Sequence, residues 1–547
     1  MLQRLLPVIG DFLTNLFNDC LRLGYCPTHL RSSTTVVIRK PGKDDYTDPL
    51  SYRPIALLNT IAKALESILA SRISFLVEEH NLLPVTHVGG RKGRSCEHAL
   101  HLLLEQIHVA WRDGNRVASL LTLDIKGAFN NVNHERLLHN LRKRHIPVDI
   151  VRWMASFLSD RKTIISLLEG PMGEYPLQIG IPQGSPLSPI LYLFFNADLI
   201  DDLHAAFPGQ LLVTGYIDDI CILAWGETAA ENCQLLAEAH KVAEEWETRH
   251  ASRFSPSKYG LIHMHRKHRR VPQPRGSTDT PLHLESAGVV VEAKPTLKYL
   301  GVWLDKHLTG QEQVRAARKK AAKLTAALSS IAGSTWETNM LQLRRMYTAV
   351  LLPQITYASS VWYVRGGYGF KGAENEVQRT MESIQYKALY RIAGAFRTTS
   401  RAALEVCLHV PPPMITLIRA AEESCLRILS SPLKRTLHQI RASWPPDHPG
   451  KDPLTSPLHR LEYVLDRRLG RGTVDRLEEI RPFVVSPWWR PPNTHIDDNR
   501  EAALAAHQTA LARPPNLTLY TDGSGMDGGI GAAIYSEIGT MVVPVGS

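Results

Sequence analysis

Between Leu211 and Trp225 the sequence reads LLVTGYIDDICILAW. Two apolar, β-branched runs of this kind read as strands joined by a tight turn. Asp218 and Asp219 stand side by side between them. Asp tolerates the left-handed backbone that a two-residue hairpin turn needs, so the Asp-Asp pair is expected to form the turn. Nothing polar flanks the pair for several residues, so the hairpin tip is expected to face a cleft. A second apolar run, in VASLLTLDIKGAFNNVNHERLL, ends at Asp124. A helix follows, with Asn133 as its expected N-cap. If both runs lie in one sheet, three carboxylates converge. At about 5 Å and an effective dielectric of about 20, each like-charged pair costs roughly 3 kcal/mol. Such a cluster calls for divalent cations. Carboxylates, with a backbone carbonyl such as that of Ile125, are hard ligands that suit Mg²⁺. Two such ions stabilise both oxygens of an in-line displacement at phosphorus.

Composition narrows the setting. The chain has 547 residues, 44% of them hydrophobic, which is enough for three or four domains with real cores. A formal charge of +10 favours a polyanionic partner. Seven scattered cysteines include no C-x-x-C pair, so neither a disulfide framework nor a zinc ribbon is expected. A reducing compartment, nucleus or cytoplasm, follows as the expectation. No run of 18 apolar residues is present, so no spanning helix is expected; of the polyanions a basic chain could meet, nucleic acid and not a membrane is the expected partner. The start, MLQRLLPVIGDFLTNLFNDCL, reads as an amphipathic helix and not as a secretion signal.

Along the chain, residues 1–310 mix helix and strand patterns. From Gln311 the pattern turns helical, with QEQVRAARKKAAKLTAALSSI carrying basic residues on one side. Pro-rich breaks at VPPPM, WPPDHPGKDP and SPWWRPPN mark linkers or loops. The last segment alternates like short strands between Gly-rich turns. In LQIGIPQGSPLSPILYLFFNADLIDDL, Gly180 and Gly184 permit a tight turn and close backbone approach. Ser185 and Pro186 then read as N-cap and first helical position. Gln183 and Gly184, at the mouth of that helix, suit a nucleotide or a template base.

Seven segments, in order, resemble the reverse transcriptases of non-LTR (LINE-type) retrotransposons. They are VVIRKPGKDDYTDPLSYRPIALLNTIAKALESILASRI, HVGGRKGRSCEHAL, LLTLDIKGAF, GIPQGSPLSPILYLFFN, GYIDDICILA, SPSKYGLI and LKYLGVWLD. The resemblance covers about residues 23–305. It implies an α+β, right-hand polymerase: fingers and an antiparallel palm over 1–310, then a helical thumb over 311–440. A Pro-rich connector would occupy 441–512. The activity implied is RNA-directed DNA polymerisation, with an RNA template, a DNA primer and deoxynucleoside triphosphates as partners.

The resemblance also assigns residues. Asp124, Asp218 and Asp219 would be the catalytic acids, holding two Mg²⁺ ions, with Mn²⁺ as a substitute and the Ile125 carbonyl as a further ligand. Lys40 and Arg53 would grip the triphosphate. Phe129 would be the aromatic gate against a 2′-hydroxyl. Gln183 and Gly184 would touch the incoming nucleotide or template, and Lys258 would stand near the leaving pyrophosphate. LKYLGVWLD would grip the primer end. Arg315, Arg318, Lys319, Lys320 and Lys323 would meet backbone phosphates. Gly89, Gly90 and Arg91 stand where the family usually has G-F-R, at a template contact.

Residues 513–547 resemble the opening of a ribonuclease H domain, with LYTDGSGMDGGIGAAIY placing Asp522 as its first acid. About 30 residues cannot bury a core alone, so no hydrolytic activity is expected of them. The basic run His263–Arg275 fits a nucleic-acid contact, a nuclear-targeting signal or a solvated loop equally well. Two other readings compete: a catalytically inactive or decayed nucleic-acid-binding fragment of such an element, and an intron-encoded maturase. The ribonuclease H-like tail argues against the maturase.

Overall fold

The structure, a computed structural model, describes residues 2–114, 116–167, 170–266, 276–331, 338–363, 371–441, 455–491, 497–511, 520–526, 529–536 and 539–545. It packs as two units, residues 1–487 and 488–547. In the first unit, strands β1 (Ser32–Arg39), β2 (Tyr52–Leu58), β3 (Val117–Leu123), β4 (Arg161–Leu167), β5 (Gly170–Leu177), β6 (Leu211–Tyr216), β7 (Asp219–Gly226) and β8 (Gly260–Met264) form two sheets. One is antiparallel, in the order β6-β7-β3-β8. The other runs β2-β1-β4-β5, with β1 and β4 parallel. Pro54 cannot donate to a ladder, and β2, which carries it, is an edge strand.

The first sheet is covered on both faces, which is why β3 reads VASLLTL without polar alternation. Leu120, Leu223 and Ile262 face one core; Leu121, Ile222 and Leu261 face the other. Helices Ser188–Ala206 and Ala229–His250 cover one side and helix Cys96–Arg112 the other. The Ser188–Ala206 helix is apolar on nearly every side, as a helix buried all round must be.

Downstream lie two short hairpins, β9 (Leu282–Leu284) with β10 (Val289–Val291), and β11 (Thr296–Tyr299) with β12 (Val302–Asp305). Helices follow from Gln311 onward, as the composition predicts. They do not separate from the first unit at 310 or 440. Leu389, Leu417 and Leu465 share a core with Leu102 and Leu103 of the Cys96–Arg112 helix. A buried ion cluster ties the same helix down: Glu105, fully buried, accepts from both Nε and Nη2 of Arg441 at 2.9 and 2.8 Å. Arg441 also reaches Glu462 on helix Pro457–Leu469 at 2.5 Å. Burial alone would raise the Glu105 carboxyl; the Arg441 guanidinium overrides it and holds the group at about 2. Removing one member of a buried pair like this costs about 3–5 kcal/mol. The segment read as a linker is therefore partly a docked helix.

The second unit contains helix Arg500–Leu511 and an antiparallel sheet of β13 (Tyr520–Met526), β14 (Gly529–Ser536) and β15 (Gly539–Val545), in that order. Asp522 lies on β13; its side chain falls outside the described residues. No helix among the described residues is long and apolar enough to cross a membrane. All seven cysteines are free.

Burial sets a pH dependence. It pushes His87 and His98 down to about 3 and His101 down to about 4. In the unfolded chain histidine titrates near 6.5. These groups favour the folded state fully above about pH 6.5 and oppose it as pH falls toward 4. Three such groups remove about 4 kcal/mol by pH 5.5. Urea unfolding at pH 7.5 and 5.5 should show that loss; equal midpoints would refute it.

Candidate active site

The β3–β7 register brings the acids together. Leu123 pairs with Ile220, so Asp124, the next residue along, arrives opposite Asp219. The turn differs from expectation by one residue. Tyr216 pairs with Asp219, so the two-residue loop is Ile217–Asp218, and Asp219 opens β7. Ile217, not an aspartate, takes the left-handed conformation, with φ 59°. A β-branched residue there is strained and must be held. Asn196 Nδ2 donates to the Ile217 carbonyl at 2.7 Å. Val88 N–H donates to the Gly215 carbonyl at 2.8 Å, laying residues 86–89 along the hairpin. At Gly89 a Cβ would strike the Ile217 amide, so only glycine lets this segment back the tip. Arg91 is not free to meet a template: its guanidinium is buried against Glu78 at 2.6 and 2.9 Å.

Asp124 is fixed from the other side. Its carbonyl accepts from Ser255 N–H at 2.8 Å, and Ile125 bridges Phe254. This zips the strand end to the loop carrying Lys258, whose Nζ lies 2.8 Å from Asp124 Oδ2. Asp218 and Asp219 are open to solvent yet hemmed in by surrounding protein. That enclosure is the largest cause raising both carboxyls, and Asp124 adds to each. Asp219, which also feels Asp218, reaches about 6. Lys40 joins the same field. Partial burial, then Arg53, Lys258 and Lys43, lower its pKa, while Asp124 opposes them. Lys40 follows β1, and Arg53 sits on β2 opposite Ile38. As the side chains stand, Lys40 Nζ donates to the Leu50 carbonyl at 2.9 Å. The donor set is hard oxygen, the type a divalent cation of the Mg²⁺ class takes. Among the described residues, however, no three acidic, histidine or cysteine side chains are arranged to hold one ion.

The Gln183 loop is locked to both neighbours. Ala56 N–H, on β2, donates to the Gln183 carbonyl at 2.8 Å, and a Cβ on Gly184 would collide with the Ala56 carbonyl oxygen. Ile181 N–H donates to the Phe129 carbonyl at 2.8 Å. The helix begins at Ser188, two residues later than expected, because Ser185 serves a preceding turn. Ser185 Oγ accepts from Leu187 N–H at 3.0 Å and donates to the buried Glu66 carboxylate. Burial raises the Glu66 carboxyl. Asn133 caps its helix as predicted, accepting from Arg136 N–H at 2.9 Å.

Sequence reasoning missed Glu66 and Tyr192. Phe129, half-buried, stacks on the fully buried Tyr192 ring at 5.1 Å and 21°. For Tyr192 the sequence signal was a hydroxyl inside an apolar helix; Glu66, in a helix with several other polar residues, carried none.

A groove of 560 Å³ opens beside the β11–β12 hairpin, lined by Lys298, Trp303, Arg315, Lys319, Lys320 and Lys323 among others. Arg318 instead lines a different groove with Lys387 and Arg391. In the basic run His263–Arg275, His263 is buried on β8 against Ser119, and residues 267–275 lie outside the described residues.

With this geometry in hand, the likenesses are informative. Residues 38–304 match the reverse transcriptase (RNA-dependent DNA polymerase) family. The chain is 27% identical over 380 residues to a probable RNA-directed DNA polymerase from transposon BS of Drosophila melanogaster, covering 68% of this chain and 40% of that protein. A probable RNA-directed DNA polymerase from transposon X-element of the same organism is 27% identical over 383 residues, covering 70% and 40%. The RNA-directed DNA polymerase from mobile element jockey of Drosophila funebris is 26% identical over 402 residues, covering 73% and 42%. The chain thus spans about 40% of the length of these curated relatives. Apo telomerase from Candida tropicalis is similar at a TM-score of 0.37 and 10% identity, over 83% of this chain and 72% of that one, which is too distant to decide anything about fold. Residues 38–304 are thus similar to the reverse transcriptase (RNA-dependent DNA polymerase) family, and the relatives that match over a longer stretch are RNA-directed DNA polymerases of transposons and mobile elements.

Proposed function

We propose that this chain is the RNA-directed DNA polymerase portion of a non-LTR retrotransposon protein, extending a DNA primer on an RNA template with deoxynucleoside triphosphates. One observation carries the reading: strand register brings Asp124 beside the Asp218–Asp219 pair at one end of one sheet, with Lys40 near enough to feel Asp124. In right-hand terms, β6-β7-β3-β8 is the palm, the β1–β2 pair belongs to the fingers, and the helices from Gln311 begin the thumb.

Asp124, Asp218 and Asp219, with the Ile125 carbonyl, would hold two Mg²⁺ ions. When bound, such ions activate the attacking 3′-hydroxyl and neutralise charge on the leaving pyrophosphate. Lys40 and Arg53 bind triphosphate oxygens, Arg53 with a planar fork suited to phosphate. Gln183 and Gly184 present the locked loop to the base, and Phe129 occupies the space a 2′-hydroxyl needs. Lys258 holds a proton beside the reacting phosphates and can give it to the leaving group. The basic groove by the β11–β12 hairpin takes primer–template phosphates, and Trp303 offers it an aromatic face. Residues 513–547 read as opening strands of a ribonuclease H-like domain, with Asp522 on the first.

A second reading keeps the nucleic-acid grip without the chemistry. The Lys258–Asp124 ion pair favours it, since that ammonium occupies one lobe of the acid cluster.

Two measurements test the proposal. Primer extension on RNA with Mg²⁺ should fall at least about 100-fold in Asp218→Asn; an undiminished rate would remove the assignment. The second is thermal. Because the Asp219 carboxyl titrates near 6 folded and near 3.8 unfolded, its ionisation opposes folding as pH rises through that window. Without divalent metal at pH 7.5, Asp219→Asn should therefore melt higher than the parent. Added Mg²⁺ should stabilise the parent more than the variant. A variant that melts lower without metal would contradict the crowded-carboxylate account.

A further inference from the structure

Phe129 does not stand alone at the rim of the site. Behind it runs a file of rings. Phe129 stacks on Tyr192 at 5.1 Å, Tyr192 leans on Phe195 at 6.0 Å and 40°, and Phe195 meets the edge of Trp246 at 5.8 Å and 76°. Tyr192, Phe195 and Trp246 are buried. The file leads from the half-buried Phe129 ring into the rigid core between the Ser188–Ala206 and Ala229–His250 helices. Tyr192 is also an odd choice for plain packing. Its hydroxyl is buried without a hydrogen-bond partner, an arrangement cores avoid. After burial, the charges that oppose ionisation of that hydroxyl are Asp218, Asp124 and Asp219, so it lies in the field of all three acids.

We propose that Tyr192 is a specificity-determining positioning residue, whose ring holds Phe129 in the one orientation that excludes a 2′-hydroxyl. The backbone cannot do this by itself. The Phe129 carbonyl is bonded to Ile181 N–H, which fixes the main chain but leaves the side-chain rotamer free. Stacking on an immobile ring removes that freedom. The inference rests on Phe129 facing the sugar of the incoming nucleotide, as proposed above.

The test is the ratio of kcat/KM for a deoxynucleotide to that for the matching ribonucleotide, measured in primer extension on RNA. Phe129→Val is the control and should lower the ratio. Tyr192→Leu, which keeps an apolar side chain but loses the stack, should lower it by about 2- to 12-fold. That range is what about 0.5–1.5 kcal/mol of ring stacking gives at 1.4 kcal/mol per decade. Tyr192→Phe, which keeps the ring, should restore the parental ratio within about twofold. A purely structural role would slow both sugars equally, and an unchanged ratio in Tyr192→Leu beside a lowered one in Phe129→Val would overturn the proposal. So would a ratio in Tyr192→Phe as low as in Tyr192→Leu. An unchanged ratio in Phe129→Val would instead overturn the gate reading, and Tyr192 with it. A parent chain that extends no primer would overturn the polymerase reading itself.

Discussion

Like charge held together by strand register is the constraint on which the rest depends. Backbone hydrogen bonds between β3 and β7 decide that Asp124 stands beside Asp219, whatever the carboxylates prefer. Carboxyls left to themselves would separate. Here the ladder, the Ser255–Asp124 backbone bond and the Asn196–Ile217 bond keep them close. The Asp218 and Asp219 carboxyls are raised first by enclosure and then by the neighbouring acids, and the tip carries a left-handed isoleucine. A fold that carries such strain at one spot has it over-determined by its surroundings. In this chain those surroundings are two cores pressed on the two faces of one sheet.

The neighbouring loops obey the same logic. The Gln183 loop is bonded to β2 through Ala56 and to the Asp124–Asn133 segment through Ile181. Backbone hydrogen bonds thus tie β2, the Gln183 loop and the Phe129 segment to one another. Lys40 feels Arg53, Lys258 and Lys43 as well as Asp124, so cations gather beside the acid, and Lys258 pairs with it directly. The helices from Gln311 are joined to the same body through the Glu105–Arg441–Glu462 cluster.

Much of this was legible in the sequence. Apolar runs ending in acids gave the strands and the trio, and Asn133 announced its helix by residue type alone. What stayed illegible was set by tertiary partners. The hairpin turn fell on Ile217–Asp218 because pairing of Tyr216 with Asp219 outweighs the turn preference of aspartate. The helix after the Gln183 loop began late because Ser185 found Glu66, a residue 119 positions away. Arg91 stood where the family's pattern departs at a template contact, and nothing local announced that Glu78 would clamp it. The domain boundaries drawn at Pro-rich breaks missed a buried salt bridge spanning 336 residues. Local pattern reports what a residue favours; it does not report which distant group it will meet.

The central claim is that the three acids share metal. The most direct measurement is a crystal structure of the chain soaked in Mn²⁺, read by anomalous scattering. The account predicts an anomalous peak within about 2.0–2.3 Å of carboxylate oxygens from both Asp124 and the Asp218–Asp219 pair, with Lys258 displaced from Asp124. Lys258 still on Asp124, and no peak bridging the two strands, would contradict it.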